Sequence, residues 1–130
     1  MQSRTAVLAS ALAALGAGPV AQAQVVLDRP TVIYDSGGVS RFTALEVRRL
    51  APEHYEVTLR YDGRTTGIQY FRNEVDCQRD RVMSVNHGDT LEEARRPRPT
   101  AWVAPTWATL VEGSSRWRVA RLACNGQIYP

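Results

Sequence analysis

The 130-residue chain has no lysine, and all sixteen of its basic residues are arginine. This excludes Schiff-base chemistry and any catalytic or phosphate-cradling lysine. The simpler reading of such a composition is GC-rich coding. The functional reading is that planar, weakly hydrated guanidinium groups suit carboxylates and phosphates. Cysteine is almost as scarce: Cys77 and Cys124 stand alone, 47 positions apart, without the C-x-x-C spacing of a zinc or redox motif. There is no G-x-S-x-G elbow, glycine-rich phosphate loop or EF-hand spacing, so no cofactor or metal is expected and nothing points to an enzyme. The net charge of +3 is too small to argue for nucleic acid. Past residue 23 no apolar run reaches the length of a membrane helix, and no series of aromatic-rich alternating strands suggests a membrane barrel.

What the chain does have begins at its N-terminus. Arg4 is followed by the small, apolar run from Ala6 to Leu15, then by Gly16-Ala17-Gly18-Pro19 and by Ala21-Gln22-Ala23. This is the pattern of a secretory signal peptide over residues 1–23, with cleavage expected before Gln24. Removing it leaves about 107 residues, the size of one domain (24–130), and lowers the net charge to +2 because Arg4 is the only charge lost. No cysteine follows the apolar run, so no lipid anchor is expected. In an oxidising compartment, periplasmic or extracellular, two thiols pair, and a Cys77–Cys124 disulfide is the leading expectation. Closing a loop of that length is worth roughly 3–4 kcal/mol.

The mature segment reads mainly as strand. Residues 25–30 and 31–35 form a strand interrupted at Pro30, as suits a sheet edge. Arg41 to Leu50 is ambiguous, since Phe42, Leu45 and Arg49 fit a helix while Thr43 and Val47 fit a strand, and it is read as a strand. Tyr55, Val57, Leu59 and Tyr61 alternate with polar residues, the signature of a half-buried antiparallel strand. Asp62-Gly63 supplies turn chemistry before Gly67–Arg72, and Gln78-Arg79-Asp80 connects to a strand from Arg81 to Asn86, completing a meander. Asn86-His87-Gly88-Asp89 reads as a turn, and residues 90–99 as an exposed, proline-broken loop. A short strand or irregular apolar segment is expected within Thr100–Leu110. Ser114 and Ser115 open a helix that runs to Cys124 and stops at Asn125-Gly126. The expected fold is α+β: an antiparallel meander packed by a C-terminal helix, with one disulfide.

Val75-Asp76-Cys77-Gln78-Arg79, Arg81-Val82, Trp102, Gly113-Ser114 and Leu122-Ala123-Cys124 together resemble the surface-adhesin protein E-like family of small exported bacterial proteins. The resemblance spans about Gly67 to Cys124. It implies a largely antiparallel sheet covered by the C-terminal helix, joined cysteines, and a non-enzymatic role in binding a macromolecular partner in the envelope or outside the cell. The chain departs from the family in lacking a lipid anchor and in its proline-arginine loop from Arg95 to Pro99.

The candidate binding residues are Arg95, Arg96 and Arg98 beside Trp102, guanidinium groups next to an indole that would suit a protein partner or an acidic or sugar-containing ligand. The competing reading makes Trp102 core and the arginines a solvated loop. A periplasmic small-ligand or hydrolase-inhibitor module is the alternative function, and an open sheet edge would allow a homodimer. Asp76 and Asp80 read as surface ion-pair partners of Arg79 and Arg81, His54 as a partly exposed strand residue, and His87 beside Asp89 as a local hydrogen-bonding group.

Overall fold

The structure, a computed structural model, describes residues 23–97 and 106–129. In chain order the elements are β1 (Gln24–Leu27), β2 (Thr31–Asp35), β3 (Ser40–Ala51), β4 (His54–Gly63), β5 (Gly67–Asp76), β6 (Arg81–Gly88), α1 (Leu91–Arg95), β7 (Ala108–Thr109) and α2 (Ser115–Asn125). The strands form one antiparallel sheet in the order β1-β3-β4-β5-β6-β7, with β2 also on β3. The meander expected from period-two alternation is its centre. Pro30 interrupts the outer edge as expected, so β1 pairs with Val47–Arg49 and β2 with Arg41–Ala44 of the same long strand.

One face of the sheet makes the core. Ala44 and Val47 of β3, Val57 and Leu59 of β4, Val75 and Val82 are buried against Val119, Ala120, Leu122 and Ala123 of α2, with Ile33 closing one side. Burying each of the larger side chains stabilises by about 1.5–3 kcal/mol. The helix ends are set locally. Ser114 Oγ accepts from the Trp117 N–H at 3.2 Å. Gly126 takes the left-handed conformation at φ 66°, and its N–H bonds the last-turn carbonyls. The expected disulfide is formed: Cys77, just past β5, joins Cys124 with a Cα–Cα distance of 5.7 Å. The Cys77 N–H donates to the Glu53 carbonyl at 2.8 Å, so both the β3–β4 turn and α2 are tied to the end of β5.

Three expectations need correction. Residues 90–99 are not simply an exposed loop: Thr90 Oγ1 accepts from the Glu93 N–H at 3.2 Å and caps α1, whose Ala94 is completely buried. Asn86 to Gly88 are not a turn but the end of β6, because buried Asn86 donates through Nδ2 to the carbonyls of Glu93 (3.1 Å) and Arg96 (3.0 Å). The polar side of β4 is not solvated along its length. Thr58 is 2% exposed, and Glu56 pairs at 3.1 Å with Arg72, both side chains being 15% exposed. Arg72 also donates to the carbonyls of Ala94 (3.0 Å) and Arg96 (2.7 Å), so one guanidinium fastens α1 to the back of the sheet. Of the short strand or irregular apolar segment expected within Thr100–Leu110, the structure shows the two-residue strand β7; residues 98–105 lie outside the described residues, as does the expected leader through residue 22.

Cys124→Ser should lower unfolding free energy by roughly 2–5 kcal/mol in urea melts under non-reducing conditions. Arg72→Leu leaves Glu56 without its counter-charge and the Ala94 carbonyl without its side-chain donor, and leaves the Arg96 carbonyl to Asn86 alone. It should cost about 2–4 kcal/mol and raise hydrogen exchange in α1 more than in α2.

Candidate functional site

The sequence nominated Arg95, Arg96, Arg98 and Trp102. Arg98 and Trp102 lie outside the described residues. Arg95 and Arg96 are exposed at the end of α1, where the Arg96 carbonyl is held by Arg72 and Asn86 and its side chain lies 3.8 Å from Glu92. The backbone here is therefore pinned to the sheet. Arg95 has no ion pair among the described residues.

An arginine–indole pair does exist, at the disulfide end of the back face. The Arg81 guanidinium sits 4.4 Å from the centre of the Trp107 ring, and His54 approaches that ring at 6.2 Å between centroids. β7 makes this pairing, since Ala108 is opposite Val82 and Thr109 opposite Arg81. Asp76 is the hub. Its carboxylate accepts from the Arg79 N–H at 3.1 Å and from the Arg81 guanidinium at 3.1 Å. Burial pushes the Asp76 carboxyl upward, but the Arg79 backbone N–H and the Arg81 guanidinium outweigh it and hold the group below the ordinary carboxylate range. The expected pairing of Asp76 with Arg79 and Arg81 is therefore present, whereas Asp80 instead bridges to Arg121 on α2. His54 lies 3.7 Å from Glu74, and His87 stacks on Phe71 with ring centroids 6.1 Å apart.

His54, Asp76, Arg79, Arg81 and Trp107 line a hollow of about 270 Å³, yet Asp76 is engaged by Arg79 and Arg81, and one face of the indole is covered by Arg81. Glu56 and Glu74 sit directly opposite across β4 and β5, a carboxylate pair not evident from the sequence. Arg72 engages the first and His54 approaches the second. This corner is organised to hold the β5–β6 hairpin and β7 together. Among the described residues no cluster of three or more His, Cys, Asp or Glu could hold a metal ion.

The core side presents a different kind of surface. Where β1 bulges at Val26, a cleft of about 350 Å³ opens between the sheet edge and the end of α2. Its floor is Val47 of β3 and Tyr55 of β4, one wall is Val26 and Leu27, and the other is Leu122, Ala123 and Ile128. Val26 and Ile128 at its rim are 53% and 54% exposed. Arg29 and Thr31 complete the lining, and Thr31 Oγ1 donates to the Arg29 carbonyl at 3.1 Å, which fixes the backbone that carries the guanidinium. Among the described residues the Arg29 side chain has no ion pair or hydrogen bond, and none of those lining the cleft is acidic. A concave apolar surface with one convergent polar group has the character of a ligand site. No motif in the sequence marks it, because its walls come from four separate segments.

No model of a known protein family matches this chain, and neither a curated protein nor a solved structure matches it.

The Asp76 corner generates a pH dependence. A carboxyl held low in the folded state adds stability that is complete above its unfolded value near ~3.9 and is lost as pH falls through the folded value. Asp76→Asn should therefore cost about 1–2 kcal/mol at pH 7, and the gap to wild type should close below about pH 4 in denaturant melts across pH.

Proposed function

We propose that this chain is an exported, non-enzymatic binding domain, and that the cleft beside β1 is where it holds an apolar group of an envelope or extracellular partner. The observation that carries the reading is the coincidence at one place of a preformed apolar cavity, exposed apolar rim residues and an unpaired arginine. Exposed apolar residues scattered singly need no explanation; those lining a cavity mark recognition surfaces. Export is supported by the leader pattern, by the disulfide, and by β1 starting at Gln24, so cleavage before Gln24 removes no strand residue. The described residues include no helix long and apolar enough to cross a membrane. The resemblance to the protein E-like family rests on the short motifs around Cys77 and Cys124, and macromolecular binding is the role it implies. The alternative, a small-ligand module, uses the same cleft and is favoured by its concavity.

The neutral dye N-phenyl-1-naphthylamine should brighten on binding the wild-type protein. Val26→Asp combined with Ile128→Asp changes two exposed side chains, so the variant should keep its melting temperature to within a few degrees while dye affinity falls about tenfold or more. Equal dye binding by the two proteins would remove the cleft as the site.

A further inference from the structure

We infer that the cleft takes the single hydrocarbon chain of a monoanionic amphiphile, its carboxylate paired with Arg29; this rests on the cleft being the binding site. Volume limits the apolar part. About 350 Å³ lies at the small end of the range for ligand pockets, roughly 300–1,000 Å³, with room for one medium-length chain and not for the two acyl chains of a phospholipid. The lining limits its chemistry: Val47, Leu122, Ala123 and Ile128 offer no charge, so the buried portion must be apolar.

Charge limits the other end. Of the fourteen arginines among the described residues, eight pair with a carboxylate: Arg41 with Asp35, Arg48 with Glu46, Arg60 with Asp62, Arg72 with Glu56, Arg79 and Arg81 with Asp76, Arg96 with Glu92 and Arg121 with Asp80. Arg29 does not, and it is the single charged residue in the lining. A second unpaired arginine lies at the same end of the sheet. Arg49 is the cross-strand neighbour of Tyr55, in the cleft floor, and shares the sheet face of Val47 two residues away. Neither guanidinium has a carboxylate partner among the described residues, and a forked guanidinium–carboxylate pair is the contact each favours. An apolar chain with a cationic head would meet repulsion, and a neutral one would gain nothing from Arg29.

The test is calorimetric titration of the disulfide-bonded protein with octanoate, decanoate and decyltrimethylammonium below their micelle concentrations. Decanoate should bind about tenfold or more tightly over octanoate, because two further methylenes are buried, and by a similar factor over the cation of equal chain length. Arg29→Ala, an exposed substitution, should abolish most of the preference for the anion while leaving the neutral dye bound. Equal affinity for the two head groups, or an unchanged preference in Arg29→Ala, would overturn the inference. So would protein that ignores free decanoate yet floats with phosphatidylglycerol vesicles, or that closes the cleft by self-association. If the dye binds and decanoate does not, the inference fails while the binding cleft stands; if neither binds, the cleft itself fails.

Discussion

The Cys77–Cys124 bond is the constraint on which the arrangement of layers depends. An eleven-residue helix is too short to persist alone in water, so α2 owes its stability to the apolar face it lays on the sheet. Four of the residues on that face are Val119, Ala120, Leu122 and Ala123, two of them alanines that contribute little area each. The disulfide offsets this by joining the last turn of α2 to the end of β5, limiting how far the helix can lift even when its packing loosens. The Asp80–Arg121 bridge works at the same junction, from the β5–β6 turn to the helix.

The back of the sheet solves a different problem. In a meander with one helical layer, the second face is ordinarily left to water. Here Glu56, Glu74 and Arg72 crowd the middle of that face, with the two carboxylates directly opposed, an arrangement that repels unless cations intervene. Arg72 is the cation, and its remaining donors reach beyond the sheet to the last carbonyls of α1. A charge placed to settle a repulsion within the sheet thus also recruits a small helix as a partial second cover. Buried Thr58 and Asn86 are consequences of that cover, the first in the layer beneath and the second bonding the helix end.

The same physics explains what the sequence made legible. Period-two alternation from Tyr55 to Tyr61 and the Ser114 start and Gly126 stop signals lie within single segments, and the elements they announced are present. α1 carries its own local signal, Thr90-Leu91-Glu92-Glu93, but five residues show no periodicity and the adjacent Arg-Pro run has the composition of a loop. The arginine–indole pair was expected in residues 95–102, yet Arg81 meets Trp107 through a strand pairing that only the sheet register reveals. The cleft was least legible. Val26, Arg29, Tyr55 and Ile128 share no spacing, and they meet only because β1 bulges and the chain after α2 returns to it.

The cleft's position follows from simple dimensions. Strands lie about 4.8 Å apart, so the path from β1 to β7 is roughly 24 Å wide, whereas a helix with its side chains covers about 10–12 Å. α2 runs along the strands and not across them: Ser115 and Val119 lie by Leu59 and Phe71, and Leu122 and Ala123 lie by Val47 and Tyr55. One helix so oriented covers the central strands and leaves the flanks open. Towards β2 the gap is closed by Ile33, Tyr34 and Phe42, with Arg118 of α2 lying 5.0 Å from the Tyr34 ring. Towards β1 the only aromatic group among the described lining residues is Tyr55 in the floor; the strand is four residues long, bulges at Val26, and offers the aliphatic side chains of Val26 and Leu27 to the space. The cleft is therefore a consequence of covering a wide sheet with a single lengthwise helix, and Arg29, without an ion pair among the described residues, stands at its mouth.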